Sequence, residues 1–384
     1  MPDRENGKLR PLIKWTGGKY KEFEKFAYLI PPFEKYYEPF FGGGGVFFAS
    51  QPKGVSYLND KSIDLIKFYR FIGNQEFEEQ LQQYAAAWEQ ATCLAKDVIQ
   101  VLVPAFANYV ADKLEKTELA QEIAACVQTL PINNYYPLFA DSFIVEAAKF
   151  KKHLIHSLTD KFRRIKNIQT NRSLFFDVSE MSDHVETAVK SGLYLYLRSI
   201  SNNATNATIS DHKAAANWYF VREFCYASMF RYNRKGGFNI PYGGIAYNKK
   251  NFRSKINAIT STAAKKLFAN SCFYNLDFAN FLEKTDPSAN DFVFLDPPYD
   301  SQFSEYDQNA FTKADQVRLR DVILRCKAKC MVVIKETAFI RDLYSVQPFS
   351  IIDFDKTYTY NVRGRNNRGT KHLIIVNYPS ESFR

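Results

Sequence analysis

The sequence predicts an α/β protein whose mostly parallel sheet is interrupted by a long, mainly helical insertion. Two observations indicate the sheet: an aromatic strand that runs into a glycine-rich turn at residues 36–48, and an apolar strand, Phe292–Leu295, that ends at a pair of prolines. The third observation is the helical spacing of apolar residues between 74 and 191, which predicts buried stripes at Phe77, Leu81, Tyr84 and Trp88 and then at Leu94, Val98, Val101 and Leu102. Open α/β sheets bind ligands beyond the carboxyl ends of their strands, so both strand ends are candidate sites.

The first candidate site is the segment Tyr36–Phe48, which reads as a strand, a glycine turn and the start of a helix. Glycines permit positive φ and let a ligand approach the backbone. The next strand, Val55–Asn59, ends in Asp60, and an acid about 20 residues after such glycines suits a ribose hydroxyl. The alternatives are a flexible loop and, for Asp60, a helix N-cap before Ser62.

The second candidate site is the tetrapeptide Asp296-Pro297-Pro298-Tyr299. Proline has a fixed φ and no N–H, so this corner is stiff and its carbonyls can accept hydrogen bonds. An exocyclic amine on a planar base could donate its hydrogens to the Asp296 carboxylate and the Pro297 carbonyl, which would localise its lone pair for nucleophilic attack. Tyr299 would stack on the base. The alternative is an ordinary strand-to-turn junction.

Other glycine motifs fit poorly. Neither the turn at 42–45 nor Thr16–Lys19 has the six-residue frame and the following Ser or Thr of a phosphate-binding loop, which disfavours a kinase or NTPase. A dinucleotide dehydrogenase does not need the proline corner.

Several segments, in this order, resemble the Dam-type (alpha-group) DNA adenine-N6 methyltransferases: Lys14–Lys19, Glu38–Gly44, the hairpin-like Arg231–Gly243, Asn275–Phe278 and the tetrapeptide at 296–299. The resemblance implies a Rossmann-like, S-adenosylmethionine-dependent core with an antiparallel C-terminal hairpin and an inserted target-recognition region. It also implies double-stranded DNA as the partner. The alternatives are methylation of another planar amine, such as cytosine N4 or RNA adenine, and a catalytically silent DNA-binding protein.

The resemblance assigns roles to matching positions. Asp60 would bind the cofactor ribose, Asp277 the adenine amino group, and Phe278 the adenine ring, although Asp277 could be a loop cap and Trp15 a core aromatic. The catalytic residues would be Asp296, Pro297, Pro298 and Tyr299. The cofactor-binding residues would be Lys14, Trp15, Lys19, Glu38, Pro39, Phe40, Gly42, Gly44, Asp60, Asp277, Phe278 and Asp296.

A net charge of +10 and a pI near 9.1 favour a polyanionic partner. For the basic run 149–172, a solvated helix face is as good an explanation as DNA contact. Arg231 is a candidate for forking onto guanine, and Tyr226 aligns with the aromatic that the family inserts where the extruded adenine leaves the duplex. Ala227 departs from the family pattern, which has a polar residue there. The DNA-binding residues would be Tyr226, Arg231, Asn233, Arg234, Lys235, Pro241, Arg363, Arg365 and Arg368.

We expect four regions: an N-terminal core part at 1–73, a helical insertion at 74–190, a recognition domain with its hairpin at 191–262, and the catalytic core part at 263–384. The six cysteines form no Cys-x-x-Cys pair, so we expect reduced thiols and no metal. Neither an apolar run of membrane-spanning length nor an apolar N-terminal signal is evident, so the expected location is the cytoplasm. A partner restriction endonuclease would be a matter of genetic context.

Overall fold

A computed structural model describes residues 9–140, 142–144, 146–203, 209–298, 311–357 and 369–379. The chain forms two compact units. Met1–Ile72 and Ser261–Arg384 together make the sheet unit, and Gly73–Thr260 makes the helical unit.

The sheet unit is built on seven strands: β1 Tyr36–Glu38, β2 Ser56–Asn59, β3 Ser271–Tyr274, β4 Phe292–Leu295, β5 Lys329–Lys335, β6 Ser350–Thr357 and β7 Gly369–Val376. Their order in the sheet is β3-β2-β1-β4-β5-β7-β6. The first five are parallel, whereas β7 pairs antiparallel with both β5 and β6. The prediction of a mostly parallel sheet with an antiparallel C-terminal hairpin is therefore confirmed.

Helices cover this sheet: α1 Gly45–Ser50, α2 Ile63–Arg70, α10 Thr262–Ala269, α11 Phe278–Thr285, α12 Lys313–Arg325 and α13 Ala338–Leu343. All four side chains of β4 are buried, as expected for a parallel strand with both faces covered. Each such side chain contributes about 2 kcal/mol through burial. The strands β2 and β3 lie on one side of β1, and β4 and β5 lie on the other. The carboxyl ends of β1 and β4 are therefore the switch point at which open α/β sheets bind ligands.

The helical unit contains α3 Gln75–Val110, α4 Lys116–Gln128, α5 Ala147–Arg172, α6 Val178–Asn202, α7 Asp211–Phe224, α8 Ile245–Asn248 and α9 Phe252–Ile259. The apolar stripe expected from the sequence is buried along α3 at Phe77, Leu81, Tyr84, Trp88, Leu94, Val98 and Leu102. Val101, which was expected in the same stripe, is 58% exposed. That part of the prediction was wrong because Val101 lies about 100° around the helix from Leu102.

Within the described ranges, α3 is the one helix whose length and apolar composition would suffice to cross a membrane. Its buried stripe packs against α6 and α7 of the same unit. Helix α6 runs through residue 190, where the sequence suggested a boundary between the insertion and the recognition domain. The division of this unit into two functional parts accordingly stays a proposal.

Candidate active site

Four parallel strands deliver acidic or amide side chains to the same edge of the sheet. Glu38 is the last residue of β1, and Asn59 is the last of β2. Asp277 follows β3 and caps α11, while Asp296 follows β4 directly. Because these strands are parallel, their carboxyl ends lie side by side and collect the side chains at one edge.

The glycine turn is closed by Asp60, which lies immediately after β2. Its two carboxylate oxygens accept hydrogen bonds from the backbone N–H of Gly42 (2.9 Å) and of Ser62 (2.8 Å). Burial raises the pKa of Asp60. The N-cap of α2 is Ser62, whose hydroxyl accepts from Leu65, so Asp60 does not fill the N-cap position that was its alternative explanation.

Trp15 packs directly on this turn. Gly42 has φ +50°, and a Cβ at that position would lie 2.8 Å from the Trp15 indole. At Gly45 a Cβ would lie 2.8 Å from the backbone nitrogens of Lys19 and Tyr20. The segment 15–20 and the glycine turn therefore fit together only because these residues have no side chain.

Glu38 is a buried carboxyl at the end of β1. Its side chain accepts a hydrogen bond from the Tyr36 hydroxyl at 2.8 Å and another from the Phe47 backbone in the first turn of α1. Burial raises the pKa of Glu38 well above its usual value, and the charges of Asp296 and Asp60 add to the rise.

Lys19 and Asp296 form an ion pair at the head of the proline corner. Lys19 is 1% exposed, and its ammonium also donates to the Gly17 carbonyl at 2.9 Å. At the other end of the corner, the buried Gln316 of α12 donates to the Pro298 carbonyl at 3.2 Å. Lys19, expected beside the cofactor, thus pairs with Asp296, and no sequence motif marks Gln316.

Asp277 is held by Arg318 of α12, a residue that no sequence motif marks. The Arg318 guanidinium donates to both carboxylate oxygens of Asp277, at 3.0 and 2.9 Å. The same guanidinium lies 4.5 Å from the centre of the Phe278 ring, and that ring contacts Phe40 with centroids 5.4 Å apart. Asp277 also accepts from Ala279 as the N-cap of α11, so the capping alternative is observed alongside the ion pair.

Asn59 joins three of the strand ends. Its side-chain amide donates to the Pro39 carbonyl (2.9 Å) and the Leu276 carbonyl (3.0 Å), and its oxygen accepts from the Leu276 backbone N–H (2.9 Å). The amide therefore ties the turn after β1 to the segment after β3. The one signal for Asn59 in the sequence is its place directly before Asp60.

In the helical unit, the segment 231–243 forms the expected hairpin, with an antiparallel bridge between Tyr232 and Phe238. Asn233 closes its tip, because the Asn233 side-chain oxygen accepts from the backbone of Lys235 and of Gly237, both at 2.9 Å. That oxygen thus has a structural role in the tip. Exposed side chains on the hairpin include Arg231, Arg234, Lys235 and Pro241.

Tyr226 stands at the base of the hairpin with 48% of its surface exposed. The two residues after it, Ala227 and Ser228, both have φ +52°, which is uncommon for residues other than glycine. The buried Arg222 braces this turn by donating to the carbonyls of Ser228 (3.0 Å) and Met229 (2.8 Å).

The remaining expected positions are less informative. Lys14 is exposed, and Gly44 is left-handed with φ +65°. Four expected site residues lie outside the described residues: Tyr299, Arg363, Arg365 and Arg368. Within the part of the chain that the structure describes, no group of three or more His, Cys, Asp or Glu side chains could hold a metal ion.

Comparison with known proteins supplies the family. The model of the D12 class N6 adenine-specific DNA methyltransferases matches residues 15–97 and 115–360. A similar protein is the type II methyltransferase M.CviBI of Paramecium bursaria Chlorella virus NC1A, 37% identical over 43% of this chain and 61% of its own length. The type II methyltransferase M1.LlaDCHI of Lactococcus lactis subsp. cremoris is 22% identical over 96% of both chains.

A DNA adenine methylase of Vibrio cholerae serotype O1 is 26% identical over 45% of this chain and 62% of its own length. The match to the viral relative likewise covers less than two thirds of that relative. The family match, by contrast, includes the glycine turn, the hairpin and the Asp-Pro-Pro segment described above. The chain belongs to the D12 class of N6 adenine-specific DNA methyltransferases.

Proposed function

We propose that this protein transfers a methyl group from S-adenosylmethionine to N6 of adenine at a specific sequence in double-stranded DNA, after the base has left the helix stack. The observation that carries the proposal is the Asp296 carboxylate, which Lys19 holds at the head of a two-proline corner. This corner lies at the carboxyl end of β4, beside β1, where the strand order reverses.

The residues around the glycine turn suit S-adenosylmethionine. Asp60 is placed to accept from ribose hydroxyls, since each carboxylate oxygen has a second lone pair beyond the one used by Gly42 or Ser62. Asp277 keeps one lone pair for the adenine amino group, on Oδ2, because Oδ1 accepts from both Arg318 and the Ala279 backbone and Oδ2 accepts from Arg318. The aromatic pair Phe40 and Phe278 provides an apolar surface for the adenine ring. When bound, the cofactor supplies an activated methyl group.

The chain's own residues would then prepare the amine. The Asp296 carboxylate and the Pro297 carbonyl would accept the two amino hydrogens of the target adenine and localise the nitrogen lone pair. Asp296 serves mainly as a hydrogen-bond acceptor fixed in place, because the value of such a group lies in its placement before the reaction. Lys19 fixes one Asp296 oxygen, and Gln316 fixes the Pro298 carbonyl at the far end of the corner.

Adenine N6 cannot reach such a corner while the base is stacked, so the base must be extruded. Tyr226 is exposed and its turn is braced from within, which suits a ring that enters the space the adenine leaves. Arg231, Arg234 and Lys235 would contact bases and phosphates along the hairpin. The departure at Ala227 leaves the orphaned partner base without the polar side chain that the family pattern provides.

A different methyl acceptor is the main alternative. The name of the Vibrio relative, a DNA adenine methylase, and the adenine specificity of the family both support adenine over cytosine N4. A catalytically silent DNA-binding protein would be expected to have a broken Asp-Pro-Pro-Tyr segment or glycine loop, and both are intact in this sequence.

The test is methyl transfer from labelled S-adenosylmethionine to unmethylated genomic duplex DNA, followed by nucleoside analysis and single-molecule mapping. We expect N6-methyladenine at one short sequence. Asp296→Ala should abolish turnover and keep cofactor binding, whereas the exposed Asp342→Ala should behave as wild type. N4-methylcytosine as the product, or near-normal turnover by Asp296→Ala, would contradict the proposal.

A further inference from the structure

Helix α6 holds the second limb of the hairpin, residues 238–241, through side chains at four-residue spacing. Tyr194, Arg198 and Asn202 lie on one face of the helix, as residues i, i+4 and i+8 must. The Tyr194 hydroxyl and the Arg198 guanidinium both donate to the Ile240 carbonyl at 2.8 Å. Asn202 bonds Phe238 twice, accepting from its N–H at 2.8 Å and donating to its carbonyl at 3.0 Å.

Through these bonds, side chains of α6 pair with the backbone of the limb as a neighbouring β-strand would. They reach the backbone at residues two apart, and at those positions the Phe238 and Ile240 side chains are buried. Asn239 and Pro241 alternate with them, as side chains do along an extended segment, and are partly or fully exposed. The register of the limb against α6 therefore decides which side chains face solvent.

The limb also fixes Arg231 on the opposite side of the hairpin. Asn239 donates its backbone N–H to the Arg231 carbonyl at 3.1 Å, and its side-chain oxygen accepts from Arg231 Nε at 2.9 Å. With Nε engaged, the two terminal nitrogens of Arg231 are the pair suited to fork onto guanine. Among the described residues, none accepts a hydrogen bond from those terminal nitrogens. The tip, in contrast, is closed by Asn233 without help from α6.

We propose that Asn202 is a positioning residue for sequence reading: it sets the hairpin limb on which Asn239 orients Arg231, without itself touching DNA. This inference rests on the proposed function of the hairpin. Asn202 is exposed at the C-terminal end of α6, so its two hydrogen bonds can be removed with little disturbance of the buried core.

The experiment measures binding and kcat/KM on the preferred duplex and on duplexes changed at one base pair at a time. The position read by Arg231 is the one at which Arg231→Ala loses discrimination, by about 5- to 150-fold. We expect Asn202→Ala to lose most of the same discrimination at that position alone. Asn202→Asp, whose carboxylate would face the Phe238 carbonyl, should lose as much. Asn171→Ala, an exposed asparagine near the end of α5, is the matched control.

Addition of Asn202→Ala to Arg231→Ala should cause no loss beyond that of Arg231→Ala alone, because Asn202 acts only through Arg231. Additive losses would mean that Asn202 contacts DNA itself and would overturn the inference. So would full discrimination in both Asn202 variants, or an equal loss at every base pair. A wild-type protein that discriminates in binding but transfers no methyl group would overturn the proposed function and leave the inference standing. A wild-type protein without any discrimination would overturn both.

Discussion

Lys19 and Asp296 are 277 residues apart in the chain and form a direct ion pair at the carboxyl end of β4. The ammonium is buried, and the carboxylate retains 17% of its surface exposed. The N-terminal Lys-Trp-Thr-Gly-Gly-Lys segment thereby contacts the Asp-Pro-Pro corner as well as the glycine turn.

Replacement of Lys19 by methionine should reduce methyl transfer by about 100-fold or more, because Asp296 would lose the donor that fixes it. The variant should also lose about 3 kcal/mol of stability, since a partly buried carboxylate would remain without its cation. Single-turnover methylation and urea denaturation measure the two effects. The exposed Lys21→Met is the control, and wild-type rates in Lys19→Met would show that the pair is dispensable.

Glu38 should make the stability depend on pH. Burial raises the pKa of Glu38 above the ordinary value of 4.5. At a pH between 4.5 and the raised pKa, the folded protein therefore keeps a proton that the unfolded chain releases. The free energy of unfolding therefore falls as pH rises from 4.5 towards the raised pKa, by at most about 1.4 kcal/mol per pH unit. Glu38→Gln stays neutral and should gain stability relative to wild type as pH rises.

Urea denaturation of both proteins between about pH 5 and pH 8 tests this dependence. The exposed Glu283→Gln should leave the difference from wild type constant over the same range. Parallel curves for Glu38→Gln and wild type would show that Glu38 ionises alike in the folded and unfolded chains.

Arg318→Ala should weaken the binding of S-adenosylmethionine about 10-fold, because Asp277 would lose the two hydrogen bonds that orient its carboxylate. Arg318→Lys should restore only part of the affinity, since an ammonium cannot fork onto both oxygens. Isothermal titration calorimetry gives the dissociation constants. Tighter binding by Arg318→Ala would instead indicate that the arginine competes with the cofactor for Asp277.

Tyr226→Ala should prevent stable extrusion of the target base, because no ring would fill the space that the base leaves. Fluorescence of 2-aminopurine at the target position should rise on binding of wild type and of Tyr226→Phe, but not of Tyr226→Ala. Phe175→Ala removes a ring that is 88% exposed elsewhere in the helical unit and should leave the signal intact. An unchanged signal with Tyr226→Ala would assign the wedge to another residue.

Neutralising Arg234 and Lys235 together, as glutamines, should make the negative slope of log K against log salt shallower by about 2, because in the proposed complex each cation would neutralise one phosphate. DNA binding at a series of salt concentrations measures the slope. Lys152→Gln with Arg164→Gln removes two charges from α5, and the slope should then stay as in wild type if that face is only solvated. A shallower slope for the α5 variant together with an unchanged slope for the hairpin variant would place the DNA interface on α5 instead.

Local patterns made the core of the site predictable. A continuous apolar strand before Asp296 and an acid soon after the glycines place both residues at strand ends, and neighbouring positions in the sequence suffice for that inference. Arg318 and Gln316 could not be found in this way. Both residues lie on α12 and bond to groups at the ends of other strands. Which side chains of a helix meet a distant strand end depends on packing that no local pattern encodes.

The helical unit shows the same limit. The period of its apolar residues predicted buried helices, and Val101 failed because a run of apolar residues does not state which of them face the core. The hairpin was recognisable by its own residues, but the α6 side chains that hold it in place were not. Tyr194, Arg198 and Asn202 lie 36 to 46 residues before the backbone groups to which they bond, which leaves no trace in the hairpin's own sequence.

The sheet unit closes on itself where the helical unit departs from it. Tyr69, just before the departure, and Phe268, just after the return, have ring centroids 5.3 Å apart, and Arg70 donates to the Phe273 carbonyl. An excursion whose two ends already touch can change length at small cost, since doubling a loop adds only about 0.6 kcal/mol of closure entropy. Under the proposed function, the helical unit can therefore be exchanged for one that reads another DNA sequence while the sheet unit keeps its fold, which would be a route to new specificities without new chemistry.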